Sequence, residues 1–223
     1  MPFEGIGTAS HAHLSLNTTK LTADELSKKE MSFFASVLDK LPAICAFALP
    51  QPVSYKRIAD DSWMGGTWIT WGTQNRETPL RRSGEHRWEI RCMDGLGNMY
   101  LNLAAFFAAG LHGTENGTEM RWKDCERESA SFPLIRSQLN HDTDVQSDNP
   151  SRMSDELRSE YGILNKMPTT IDQSLAALES DVMLPDILGK EIVEIYLNVK
   201  KAEQEKLNAM PEGERRTWLI ERY

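Results

Sequence analysis

Residues 86–92, His-Arg-Trp-Glu-Ile-Arg-Cys, alternate charge with apolar bulk. Extended, they put Arg87, Glu89 and Arg91 on one face and Trp88, Ile90 and Cys92 on the other, because successive strand side chains point to opposite sides. The apolar face is an ordinary core surface. The charged face has two readings: a solvated salt-bridge ladder, or the floor of a site that handles anions and a metal ion. Earlier, His11 and His13 lie two residues apart in the alternating segment 5–17, so both imidazoles share a side with Ser15. Gly5 and Gly7 just before them allow a small ligand to approach the backbone closely. The Lys56-Arg57 pair and the pair Arg76 and Arg81 add further cations. Arg76 and Arg81 are five residues apart, so a regular strand would send them to opposite faces. Pro79 between them allows a break or bulge that reunites them.

Each of these features alone also fits a solvated surface. The whole set narrows the chemistry, because it falls within the first 91 residues on short strands separated by loops. Arginine is the side chain for bidentate recognition of carboxylate and phosphate. A histidine with a carboxylate suits a hard divalent cation such as Mg or Mn better than a thiolate-seeking metal. Phosphoryl transfer from a nucleotide to a carboxylate uses such a set, with cations neutralising charge on the phosphate in flight.

Composition sets the bounds. The chain has 223 residues, 40% hydrophobic and 26% charged, which suits one large or two small globular domains. A net charge of -8 argues against a general nucleic-acid or anionic-membrane surface, so any anion site must be local. The sequence reading finds no run of about 18 apolar residues and no leader pattern in the first 13 residues, so a cytoplasmic protein is expected, with no membrane and no nucleic acid among its partners. Three cysteines, Cys45, Cys92 and Cys125, fit a reducing compartment and give no zinc framework.

The elements that must position the charged residues follow from periodicity. A first strand covers 7–16, and Thr22 with Glu25 has the capping-box spacing that starts a helix carrying Leu26, Phe33, Val37 and Leu41, which Pro42 ends or kinks. Residues 49–66 read mostly as loop, followed by strands at 67–72, 77–82 and 86–92. Asn98 caps a helix apolar nearly all round, and from about 113 to 155 the pattern fails. Thr170 and Gln173 open another helix, with Ile171, Leu175 and Leu178 on one face, and long helical stretches close the chain. The expected fold is α+β: a curved, mostly antiparallel sheet carrying the site on strands within 1–94, backed by packing helices within 95–223, with a mobile insertion at 126–155.

Five segments in order, 7–16, 54–57 (Ser-Tyr-Lys-Arg), 75–81 (Asn-Arg-Glu-Thr-Pro-Leu-Arg), 88–94 and 98–113, resemble the C-terminal part of a glutamine synthetase catalytic domain, of the type-I-like fungal FluG branch. Residues 184–204 and 217–223 are similar to that family's closing helices, and 126–155 is left unmatched. The resemblance implies His11 and Glu89 as ligands of a metal near the ATP phosphates, and His13, Ser15 and Arg87 as nucleotide contacts. It implies Gly7, Arg57, Arg76 and Arg91 at the substrate glutamate, and Arg76 and Arg81 acting on the transferring phosphate and contacting ATP. The implied activity phosphorylates the glutamate γ-carboxylate with ATP and joins it to ammonia or an amine, using Mg or Mn, in a cytoplasmic homo-oligomer. The sequence departs from the family at Ile6, where an asparagine is usual, at Trp63, where a flap glutamate is usual, and between Arg81 and Arg87, where a lysine is usual. The missing flap glutamate leaves ammonia and an amine both open as acceptors. The resemblance also implies that the family's N-terminal domain and further metal-binding glutamates would precede Met1. A second reading therefore stands beside the ligase: a catalytically inactive fragment that binds nucleotide or a partner subunit.

Overall fold

Trp88 marks where sheet and helices meet. It is fully buried, its ring stacks on Phe34 with centroids 4.1 Å apart, and it tilts against Trp71 at 5.1 Å. The computed structural model describes residues 10–61, 65–126 and 149–222. Gly7, Ile6, Trp63 and residues 127–148 of the expected insertion lie outside the described residues.

Four strands form one sheet: β1 (Ser10–Ser15), β2 (Trp71–Thr73), β3 (Leu80–Gly84) and β4 (Arg87–Met93), in the order β1-β4-β3-β2. β1 and β3 flank β4 antiparallel, whereas β2 pairs with β3 in parallel, so the sheet is mostly antiparallel as the alternation predicts. The strand expected at 67–72 is reduced to its end. Its earlier backbone groups bond elsewhere, Ile69 N–H to the Asn165 carbonyl and Met167 N–H to the Thr67 carbonyl. The strand expected at 77–82 starts only at Leu80, because Asn75 and Thr78 fold the preceding residues into a turn: the Asn75 side chain accepts from Glu77 N–H, and Thr78 Oγ1 donates to Leu80 O. Arg76 lies in that turn, not on a strand.

Seven helices complete the described chain: α1 (Ala23–Ala48), α2 (Met99–Asn116), α3 (Asp155–Glu160), α4 (Ile171–Ser180), α5 (Met183–Leu188), α6 (Lys190–Asn208) and α7 (Glu212–Arg222). The capping box at α1 forms as its spacing predicts, with Glu25 N–H donating to Thr22 Oγ1 and Thr22 N–H to Glu25 Oε2. Pro42 does not end α1. Ala43 to Ala48 are all buried, and that burial outweighs the one backbone bond that proline cannot make. Contrary to the sequence reading, α1 holds a window long and apolar enough to cross a membrane, but 72% of that window is buried within the protein, where it forms the central core helix. The 49–66 region likewise contains a 3-10 helix, Pro52–Arg57.

α1 packs against β4, α2 and α4. α2 comes close because Gly113 lies against α1, where a Cβ would meet the Ser32 carbonyl oxygen at 2.3 Å. Beyond the end of α2 at Asn116, where the periodic pattern fails, residues up to Cys125 are still packed. Cys125 N–H bonds to Trp71 O, Asn75 Nδ2 donates to Cys125 O, and Thr73 N–H donates to Asp124, so residues 122–125 cover the open edge of β2. Gly72 allows this approach, since a Cβ there would sit 2.4 Å from the Cys125 carbonyl oxygen. At its other end the expected insertion is tied down as well, with Asn149 and Arg152 both bonded to the Asp61 carboxylate.

Candidate functional site

Register decides which side chains share a face. Cα partners His13, Glu89 and Arg81 line up across β1, β4 and β3, so they belong to one face of the sheet. Leu14, Trp88 and Arg82 share the other face, as do Ala12, Ile90 and Leu80, and this back face meets α1. A β-bulge between Ser10 and Ala12 sets His11 opposite two β4 residues, Arg91 and Cys92. The bulge aims the His11 ring at Glu89.

Glu89 is the hub. Its Oε1 lies 2.8 Å from His11 Nδ1 and accepts from Arg91 Nη1 at 2.7 Å, while its Oε2 accepts from Arg81 Nη1 at 2.9 Å. Only 4% of Glu89 and 5% of Arg91 is exposed, which excludes the solvated-ladder reading for these two. Burial pushes the Glu89 carboxyl up, but the Arg81 and Arg91 guanidiniums outweigh it and hold the group down at about 2. Burial and the nearby Arg91 charge pull His11 below the ordinary histidine value, against the opposing pull of Glu89. His11 is therefore neutral at pH 7. A neutral ring facing a carboxylate through Nδ1 carries its proton there, which leaves Nε2 as a lone pair. That Nε2 is buried and has no hydrogen-bond partner among the described residues.

Beside this cluster, Arg57 and Arg91 face a narrow crevice with Leu49, Ile58, Met93 and Met167 as apolar walls. Arg57 Nη1 donates to the Met93 carbonyl at 2.8 Å. Burial pulls both guanidiniums down, with Asp94 opposing it at Arg57 and Glu89 at Arg91. Both remain cations at neutral pH, because arginine starts so high. Arg76, exposed in its turn, is near enough for its charge to act on Arg91, and its carbonyl accepts from Gly65 N–H at the crevice wall.

The structure thus brings His11, Glu89, Arg81 and Arg91 into contact, with Arg57 and Arg76 alongside. His13 and Ser15 lie exposed along β1, and Arg87 stands exposed at the end of β4 in register with Ser15. Arg87 occupies the outer end of the same row, where the strand meets the β3–β4 turn. Behind the sheet, Cys92 and Cys45 of α1 are buried free thiols, and the neighbouring Cys92 together with burial pushes the Cys45 thiol up.

Two residues that position the cluster escaped the sequence reading. Glu30 of α1, 1% exposed, accepts from Trp88 Nε1 and pairs with His86 Nδ1, each at 2.7 Å, with Arg82 Nε 3.9 Å away. Its signal was present, since Glu30 interrupts the apolar row Leu26, Phe33, Val37 and Leu41. Gln74 accepts from Arg81 Nη2, and nothing in the local pattern marks it.

The family model for the glutamine synthetase catalytic domain matches residues 2–219. The chain belongs to the glutamine synthetase family. It is 44% identical over 217 residues to Protein fluG of Emericella nidulans, a match that covers 97% of this chain and 22% of that protein. It is 29% identical to the gamma-glutamylpolyamine synthetase GlnA3 of Streptomyces coelicolor, over 90% of this chain and 41% of that protein. Among solved structures, ligand-free GmaS superposes with a TM-score of 0.65 at 25% identity, over 95% of this chain and 44% of that one. The chain therefore spans less than half the length of these relatives.

Proposed function

We propose that the chain carries the arginine-rich face of an ATP-dependent glutamate ligase, which phosphorylates the γ-carboxylate of glutamate and joins it to ammonia or an amine. The observation that carries this reading is Glu89, held anionic by Arg81 and Arg91 beside a neutral His11 whose Nε2 is a buried, unpartnered lone pair. In this reading Arg76 and Arg81 act on the transferring phosphate, and Arg87, His13 and Ser15 contact the nucleotide. Arg57, Arg76 and Arg91 hold glutamate at the crevice. Two fixed cations at an apolar crevice suit a dicarboxylate with an aliphatic stem.

The donor chemistry at His11 and Glu89 fits a hard divalent ion, Mg or Mn, and these two residues would hold it. Such an ion, when bound, supplies charge neutralisation at the phosphates. Among the described residues these are two protein donors, and no group of three or more His, Cys, Asp or Glu side chains able to hold a metal lies among them. Hard cations take about six ligands, so the remainder must come from nucleotide, water or further protein. This shortage favours the second reading for the 223-residue chain by itself: nucleotide binding without ligation. The relationship to a gamma-glutamylpolyamine synthetase supports an amine as acceptor as readily as ammonia.

The test is a γ-glutamyl hydroxamate assay with ATP, Mg and hydroxylamine, run beside calorimetric ATP titration. The isolated chain is expected to bind ATP weakly with help from Mg and to form no product. Product formation would show that the missing donors are supplied within or between copies of the chain. Absence of any ATP binding would remove the ligase-derived site altogether. We further propose a homo-oligomer, supported by the exposed apolar residues Tyr100, Phe107 and Leu111 on α2 and Ile192, Ile195 and Val199 on α6. A cytoplasmic location is proposed from three free, buried thiols. A monodisperse monomer in light scattering at micromolar concentration would refute the oligomer.

A further inference from the structure

Gln74 occupies a left-handed backbone conformation, φ 55°, directly after β2. That region suits glycine or asparagine, and a longer side chain persists there only when its surroundings hold it. Three bonds do so. Gln74 N–H donates to the Arg82 carbonyl at 2.9 Å, its Nε2 donates to the Ser83 carbonyl at 3.1 Å, and its Oε1 accepts from Arg81 Nη2 at 2.5 Å. The first two bonds fix the amide against β3 and so fix which way its oxygen points. The third reaches a residue of the candidate site. Arg81 also donates through Nη1 to Glu89, so its guanidinium is held at both terminal nitrogens, by one carboxylate and one neutral amide.

We propose that Gln74 is a positioning residue that fixes the Arg81 guanidinium toward the anionic substrate without cancelling its charge. The proposal rests on the reading that Arg81 meets the nucleotide phosphate. Glu89 alone would leave Arg81 one anchor and freedom to swing about it. A second carboxylate in place of the amide would hold the guanidinium equally well but neutralise the charge a phosphate needs. A glutamine meets both demands, and its strained backbone is the conformational cost of placing it there.

Gln74→Gly removes the clasp while relieving the backbone, so the fold should survive. ATP affinity in the presence of Mg is measured by calorimetry for wild type, Gln74→Gly, Gln74→Glu, Arg81→Ala and the Gln74→Gly/Arg81→Ala double variant, with thermal midpoints alongside. The loss of one charge-assisted bond predicts about 3- to 10-fold weaker binding for Gln74→Gly at an unchanged midpoint, and at least as large a loss for Gln74→Glu. In the Arg81→Ala background, Gln74→Gly should have no further effect. Wild-type affinity in Gln74→Gly, or the same loss with and without Arg81, overturns the proposal. The positioning itself is read without nucleotide from NMR exchange of the Arg81 guanidinium, which should rotate at least about 10-fold faster once the amide anchor is gone. Unchanged rotation also overturns the proposal. Faster rotation combined with ATP binding indifferent to Arg81→Ala would instead retain the clasp and refute the phosphate role of Arg81.

Discussion

Replacing Glu89 with glutamine keeps its shape and removes its charge, leaving Arg81 and Arg91 facing a neutral amide. The consequence follows from the depressed carboxyl. Moving that group from its ordinary 4.5 to about 2 corresponds to about 3 kcal/mol of folded-state stabilisation at pH 7, at about 1.36 kcal/mol for each tenfold change in proton affinity. Because the folded value is the lower one, the contribution is complete above the ordinary value and disappears as pH falls through about 2. At pH 3 less than half of it remains. The Glu89→Gln variant should therefore be about 3 kcal/mol less stable than wild type at pH 7, which for a chain of this size lowers the thermal midpoint by about 6–12 °C. By pH 3 the gap should have narrowed by about 2 kcal/mol. Urea unfolding at both pH values, followed by tryptophan fluorescence, to which the buried Trp71, Trp88 and Trp122 contribute, measures this directly. A gap below about 1 kcal/mol at pH 7, or one that does not change with pH, would refute the account of Glu89 as a carboxylate held charged by its arginines.

Gly72→Ala forces a Cβ against the Cys125 carbonyl oxygen; it should cost about 1–3 kcal/mol in urea unfolding and speed hydrogen exchange at residues 122–125. Glu30→Leu leaves Trp88 Nε1 and His86 Nδ1 without their carboxylate partner; a loss of about 1–3 kcal/mol is expected in urea unfolding. Arg57→Ala removes one of the two cations at the crevice; glutamate binding measured by calorimetry should weaken about tenfold or more, while ATP binding changes little.

Much of the site was legible because its signals are local. Strand parity alone separates Arg87, Glu89 and Arg91 from Trp88, Ile90 and Cys92, and the structure keeps that division, with Trp88 against α1 and Glu89 among arginines. The Thr22 and Asn98 caps are likewise visible, because a cap is made by residues two or three apart. The sequence leaves open whether α1 continues past Pro42, for the opposite reason. Whether a helix survives a proline depends on how much apolar surface its continuation buries, and that surface belongs to the rest of the core.

By itself, then, the sequence determined the starts of α1, α2 and α4, the two faces of β4, and a set of arginines and histidines suited to anions and a hard cation. Tertiary structure decided the rest. It placed the bulge that turns His11 onto Glu89, the turn that puts Arg76 beside the crevice, and the left-handed Gln74 that clasps Arg81. It buried Glu89 and Arg91, so that a row readable as a wet ladder became a charged cluster under low exposure. The physical reason is the range of the interactions. Periodicity and capping are settled within a few residues, whereas register and burial are settled by partners tens of residues away. Cys125 against Gly72 and Glu30 against Trp88 are such partners, and their contacts exist only once the chain has folded.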